Sequence, residues 1–117
     1  MTDIWPTALR VQDKGAKLLI TFDSGESHDL SAEYLRVESP SAEVKGHGPG
    51  QEQLVWGKRF VTISKAEPVG SYAVRLIFSD GHSTGLFTWA YLAKLGREHD
   101  TIWKAYEAKL AAERKSR

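Results

Sequence analysis

The chain contains an internal repeat, and that repeat limits its folds more than any other feature does. FDSGESHDLSAEYL, from Phe22 to Leu35, lies over FSDGHSTGLFTWAYL, from Phe78 to Leu92. Phe22 falls on Phe78, Gly25 on Gly81, Ser27 on Ser83 and Leu30 on Leu86, and a one-residue shift then brings Tyr34-Leu35 onto Tyr91-Leu92. Each copy reads as strand, glycine turn, short strand and helix. Glycine supplies the positive φ that a tight turn requires, and the Tyr-Leu pair pins the helix to the sheet. One such unit leaves its apolar face bare, whereas two side by side cover each other. The prediction is a small α+β domain of two strand-turn-strand-helix repeats with a C-terminal helix. A chain of 117 residues suits one core and not two, so a single domain over 1–117 is expected, with its core from about 7 to 114.

The remaining segments fit that plan. Leu9–Gln12 and Lys17–Phe22 read as antiparallel strands joined through Asp13-Lys14-Gly15-Ala16. Ser31 offers an N-cap for a helix over Ala32–Val37. Lys58–Glu67 reads as a strand broken by Pro68-Val69-Gly70, followed by Tyr72–Phe78 with Tyr72, Val74, Leu76 and Phe78 on one face. Thr88 can cap a helix from Trp89 to Leu95 that Gly96 ends. A last helix is expected over about 101–114, capped by Asp100, with Ile102, Trp103, Tyr106 and Leu110 as its apolar stripe. Trp56, Trp89 and Trp103 are expected as core or half-buried anchors, and Trp5 as exposed. Between Glu38 and Gln53, SPSAEVKGHGPGQ has no usable period and reads as a long loop.

Composition removes several function classes. There is no cysteine, so disulfides, thiolate metal sites, usual iron-sulfur scaffolds and cysteine nucleophiles are all excluded. The net charge of +1 divides into five Lys/Arg against eight Asp/Glu over 1–50 and eleven against seven over 51–117. Part of the positive excess is Arg114, Lys115 and Arg117 at a helix end, which suits the helix dipole and does not call for nucleic acid. The opening MTDIWPTALR lacks an apolar run after a basic start, and no apolar stretch is long enough for a bilayer. A cytoplasmic protein without membrane or nucleic-acid partners is expected.

Three residues stand out for chemistry: His47 in the Gly-Pro-rich loop, and Asp80 and His82 at the second turn. His82 occupies the place held by Glu26 in the first repeat, so the turn itself has no need of histidine. An imidazole there can hold a metal, move a proton or meet a partner. The Gly46-His47-Gly48-Pro49-Gly50 run lacks the Lys-Ser/Thr ending of a phosphate loop. No Ser-His-Asp spacing or carboxylate pair points to a reaction.

SPSAEVKGHGPGQ, PVGSYAVRLIFSDGH and TGLFTWAYLAKLG together resemble a bacterial domain-of-unknown-function family similar to the N-terminal domain of gamma-butyrobetaine hydroxylase. The resemblance runs from Leu9 to the last helix. It implies a structural zinc held by three cysteines and a histidine, with the cysteine positions falling on Ser39, Ser41 and Val44 and the histidine on His82. None of the three cysteine positions holds a thiolate, so the resemblance does not carry the metal across. Nor does it carry oxygenase chemistry, which belongs to a separate iron domain. The same family domain occurs fused to P-loop ATPases that carry iron-sulfur clusters, which implies a protein partner of that class.

The expected function is therefore a non-catalytic binding or accessory module, with no cofactor and with His47, Asp80 and His82 at the partner surface. Two alternatives stay open. One is a metal-binding domain in which His82 recruits His47, His28 or a carboxylate to hold zinc or iron, and the other is a small enzyme with His82 as base.

Overall fold

A computed structural model describes residues 5–40 and 54–117. The first sheet has the order β1-β2-β3, with β1 Pro6–Gln12, β2 Lys17–Phe22 and β3 Ser27–Ser31, and it leads into helix α1, Ala32–Val37. The second sheet repeats the pattern as β4-β5-β6, with β4 Ile63–Val69, β5 Ala73–Phe78 and β6 Leu86–Thr88, and leads into α2, Trp89–Arg97. Helix α3, His99–Ala112, follows. All strand pairs are antiparallel. The fold is α+β, as the repeat predicts.

The two copies match in their backbone chemistry. Gly25 and Gly81 take φ of 90° and 91°, which side-chain-bearing residues rarely adopt. Each closes a turn in which the preceding phenylalanine N–H donates across it, Phe22 to the Glu26 carbonyl at 2.8 Å and Phe78 to the His82 carbonyl at 2.9 Å. Ser31 Oγ accepts from the Tyr34 N–H and Thr88 Oγ1 from the Tyr91 N–H, both at 3.1 Å, so each helix carries an N-cap from its own strand.

The repeat extends further back than Phe22. Pro6 faces Phe22 and Gln12 faces Lys17 in one sheet, while Ile63 faces Phe78 and Val69 faces Ala73 in the other. Both ladders slip one residue near the same end, between Pro6 and Ala8 and between Ile63 and Lys65. β1 and β4 are therefore equivalent strands.

One core serves both copies. Leu18, Ile20, Phe22 and Leu30 pack with Val74, Leu76, Phe78 and Phe87, and Tyr34, Leu35, Leu92 and Leu95 close it from the helices. The tyrosines cross between copies. Tyr34 donates its hydroxyl to the Leu95 carbonyl near the end of α2 at 2.7 Å, and Tyr91 donates to the Glu38 carbonyl at the end of α1 at 2.6 Å. Helix α3 covers Val37 of α1 with Tyr106 and Leu110, and Tyr106 donates to the Val55 carbonyl at 2.7 Å.

Several expected boundaries move, each for a physical reason. Leu30 is equivalent to Phe87 and not to Leu86, because Leu30 faces Leu18 and Phe87 faces Val74. The extra residue lies between Ser83 and β6. β4 begins at Ile63 and runs through Pro68 to Val69, because an edge strand tolerates a proline without a ladder N–H. Residues 58–61 instead form a turn, closed by the Val61 N–H on the Lys58 carbonyl at 3.1 Å. Helix α3 starts at His99, with Asp100 in its first turn and no side-chain cap. Trp89 and Trp103 are partly buried, whereas Trp56 and Trp5 are about half exposed. No helix among the described residues is long and apolar enough to cross a membrane.

Gly96 does not end α2, which continues to Arg97. Its role is close approach. A Cβ there would lie 2.2 Å from His28 Cγ and 2.5 Å from Nδ1, and β3 could not pack as it does. Helix propensity alone favours alanine over glycine by about 1 kcal/mol. We expect Gly96→Ala to destabilise instead, by about 1–3 kcal/mol, because the His28 ring must be forced aside. Urea denaturation of Gly96→Ala with and without His28→Ala checks this, and the second change should recover part of the loss.

Candidate functional site

The second hairpin turn is tied to the first helix by an ionic and a neutral contact. Asp80 Oδ1 accepts the His82 N–H at 3.1 Å, an Asx turn that fixes the tip. Its Oδ2 accepts from Arg36 Nε at 2.8 Å and pairs with Lys58 Nζ at 2.7 Å. Arg36 comes from the last turn of α1, so the ion pair joins the copies. Arg36 Nη1 is buried without a hydrogen-bond partner, which leaves much of this cation's neutralisation to Asp80.

The neutral contact lies deeper. Ser39 follows the end of α1, and its Oγ sits 2.9 Å from His82 Nε2 with both side chains buried. Gly85 makes room for it, since a Cβ at 85 would stand 2.2 Å from Ser39 Oγ. The structure thus brings together two of the four positions that the resemblance maps. Ser41, Val44 and His47 lie outside the described residues.

The first turn has the mirrored connection with different residues. Glu26 receives Arg97 Nη2 on Oε1 at 2.6 Å and Arg97 Nε on Oε2 at 2.8 Å, from the last turn of α2. His28 Nε2 also meets Glu26 Oε2, and the His28 ring lies against Gly96. His28 therefore serves the first hairpin.

These contacts set the charge states. Partial burial acts to raise Asp80, but hydrogen bonds from Lys58, the His82 N–H and Arg36 outweigh it and hold the carboxyl well below its ordinary value. The hydrogen bond from Arg97, with that from His28, lowers Glu26 to about 2. Both carboxylates are ionised at neutral pH.

The donor set at His82 does not fit the zinc that the resemblance implies. A serine hydroxyl is neutral, and valine at position 44 has no donor atom. Among the described residues no group of three or more His, Cys, Asp or Glu converges on one point. Nor is this a catalytic triad. Asp80 binds the histidine's main-chain N–H and the imidazole faces Ser39, so the carboxylate does not orient the ring.

Beside the turn lies a shallow cleft of about 310 Å³, lined by Gly57, Lys58, Phe60, Val61, Ser79 and Asp80. Phe60 is 87% exposed at its edge. The local pattern reads Phe60 into a strand and does not mark Arg36 or Lys58. An aromatic on a polar turn is the signal that was available for Phe60. The ion pairs depend on how the copies pack, which no local pattern encodes.

Comparison with known proteins places this geometry in a family. The model described as "Gamma-butyrobetaine hydroxylase-like, N-terminal" matches residues 9–93. Two proteins solved by NMR in solution are similar over nearly the whole chain. One is 44% identical with a TM-score of 0.85, covering 99% of this chain and 91% of its own. The other is 45% identical with a TM-score of 0.83, covering 100% and 90%. A crystal structure of a protein of unknown function from Acidithiobacillus ferrooxidans, of the DUF971 family, is 40% identical with a TM-score of 0.65, covering 78% and 91%. No curated protein matches the chain.

Asp80→Asn should destabilise by roughly 2–3 kcal/mol at neutral pH, because Arg36 then keeps a largely buried charge without its counter-ion. The lowered pKa makes the contribution of Asp80 complete above its ordinary value of 3.8 and progressively lost as pH falls below it. Urea denaturation across an acid series checks both points, since the variant should lose less stability than the native chain over that descent.

Proposed function

Because the chain belongs to the gamma-butyrobetaine hydroxylase-like, N-terminal family, we propose that it is a non-catalytic binding or accessory module for a protein partner, a P-loop carrier of iron-sulfur clusters. The partner class rests on the family domain's occurrence beside such ATPases. The observation that carries the binding role is the cleft beside the second turn. It combines a rigid ion pair, Lys58 with Asp80, and an aromatic ring that the fold leaves almost wholly in water. Single exposed apolar residues are ordinary, but an aromatic held beside a preorganised charge pair has the composition of an interface centre. Preorganisation also lowers the entropic cost of docking.

In this reading Asp80 and the backbone of the turn meet the partner, and the buried His82 ring holds the turn in shape through Ser39. His47, which lies outside the described residues, is proposed for the same surface. A cytoplasmic location fits this role. Metal binding at His82 has less support, since its Nε2 is engaged by a hydroxyl and the other mapped positions supply no thiolate. An enzyme with His82 as base has less support as well, because neither Ser39 nor His82 lines the cleft.

Phe60→Glu combined with His47→Ala tests the proposal without disturbing the core, since Phe60 packs on little. Binding of a purified P-loop iron-sulfur carrier to immobilised protein should weaken about 30-fold or more, the scale of losing an aromatic hot spot. Equal binding by the variant and the native chain would remove this surface, and no binding by either would remove the partner class.

A further inference from the structure

A second and larger concavity, of about 580 Å³, lies on the other side of Phe60 and Val61. Glu33, from the first turn of α1, stands in it only 5% exposed. A carboxylate so deeply buried needs a partner, and its partner comes from the segment that follows α3. Arg117 donates from Nη2 to Oε1 at 2.7 Å and from Nε to Oε2 at 3.1 Å, a two-point match of guanidinium to carboxylate. The same guanidinium lies 5.2 Å from the centre of the Trp103 ring.

That occupant belongs to an exposed segment. After α3 the chain reverses at Arg114, whose φ of 55° costs a residue other than glycine, and the Lys115 N–H closes onto the Leu110 carbonyl at 2.9 Å. Beyond that the segment is exposed throughout. It is fixed by the Gly57 N–H on the Ser116 carbonyl, by Lys115 over Trp56 at 4.8 Å and by Arg117 itself. Arg117 remains 41% exposed, and the concavity stays open beside it at a volume ordinary for ligand sites.

The lining carries one carboxylate, Glu33, beside the cations Lys17, Arg59 and Arg117. Lys17 reaches Asp13 and Asp29, and Arg59 lies over the Phe60 ring. Glu33 is thus the carboxylate left to balance whatever cation enters, and a planar guanidinium suits both its two oxygens and the Trp103 face better than an ammonium does.

We propose that the Glu33–Trp103 concavity is a recognition site for an arginine side chain of a protein partner, and that Arg117 fills it in the partner's absence. Exchange of one guanidinium for another leaves the buried carboxylate neutralised in both end states, so the bound complex carries no uncompensated charge. The intramolecular occupant lowers the partner's apparent affinity by the fraction of time it holds the site. This inference stands apart from the iron-sulfur carrier reading, because its probe is a small molecule.

The experiment titrates Nα-acetyl-arginine amide into the native chain and into Arg117→Ala, following the Trp103 indole resonance by NMR. Arg117→Ala should bind roughly tenfold more tightly than the native chain, the gain from removing a competing occupant. Binding should disappear in Glu33→Gln/Arg117→Ala, and Nα-acetyl-lysine amide should bind Arg117→Ala more weakly than the arginine compound. Should Arg117→Ala fail to fold, Arg117→Lys provides the readout: it keeps the positive charge and loses the two-point fit, so it should bind the arginine compound more tightly than the native chain. A folded Arg117→Ala whose Trp103 resonance does not respond, or binding that survives Glu33→Gln, would overturn the proposal and leave Arg117 as a structural clasp.

Discussion

Two tyrosine hydroxyls hold the domain together by each completing the other copy's helix. The last carbonyls of a helix have no partner within it, and inside a protein an unsatisfied carbonyl costs about 1–3 kcal/mol. Tyr34 of α1 satisfies Leu95 of α2, and Tyr91 of α2 satisfies Glu38 of α1. Neither copy can close its own helix end in this way. The exchange therefore makes the pair the folding unit, and it sets where each helix end stands relative to the opposite hairpin. Arg36 and Arg97 reach Asp80 and Glu26 from those same helix ends.

Within this symmetric frame the two helix ends have diverged. Ser39 and Gly96 occupy matching places one residue past Glu38 and Leu95, yet one presents a hydroxyl to His82 and the other yields its space to the His28 ring. At the first hairpin the histidine joins Glu26, the residue that corresponds to His82. The frame thus tolerates an imidazole at either end by different means. A buried serine–histidine pair contributes little net stability, but it fixes the turn in one conformation because each group is costly to bury alone.

The sequence carries the repeat legibly where matching residues bear matching physical duties. Phe22 and Phe78, Gly25 and Gly81, and Ser31 and Thr88 are recoverable because core filling, positive φ and capping each accept few residue types. β1 and β4 share their register and their bulge, but nearly all their residues are exposed or half-buried and so are free to differ. Gly96 reads as a helix stop because local rules do not contain the His28 ring that meets it from another strand. His82 and Asp80 are visible as unusual turn residues. Their partners Arg36 and Lys58 are not, and Ser39 is paired with His82 only through the family resemblance, since each contact spans a wide gap in sequence and arises only when the copies dock.

Polar burial locates the part of the molecule that folding alone does not explain. The buried polar or charged side chains among the described residues are Glu33, Ser39 and His82. All of them belong to α1, follow it directly or contact the residue that does. At the corresponding places on α2 stand Ala90 and Gly96, which impose no desolvation cost. One copy of the unit therefore folds with small, neutral residues where the other buries a carboxylate and a hydroxyl. Since the architecture is the same, the burial at α1 is not a requirement of the architecture. Replacing such groups by apolar ones is often neutral or stabilising, so their burial is not by itself an argument for stability. Both concavities also lie against the chain between Gly57 and Thr62, one beside Asp80 and the other around Glu33. The departures from symmetry at α1 and the two clefts described thus border the same stretch of chain, so the charges that burial fixes and the surface left open lie next to each other.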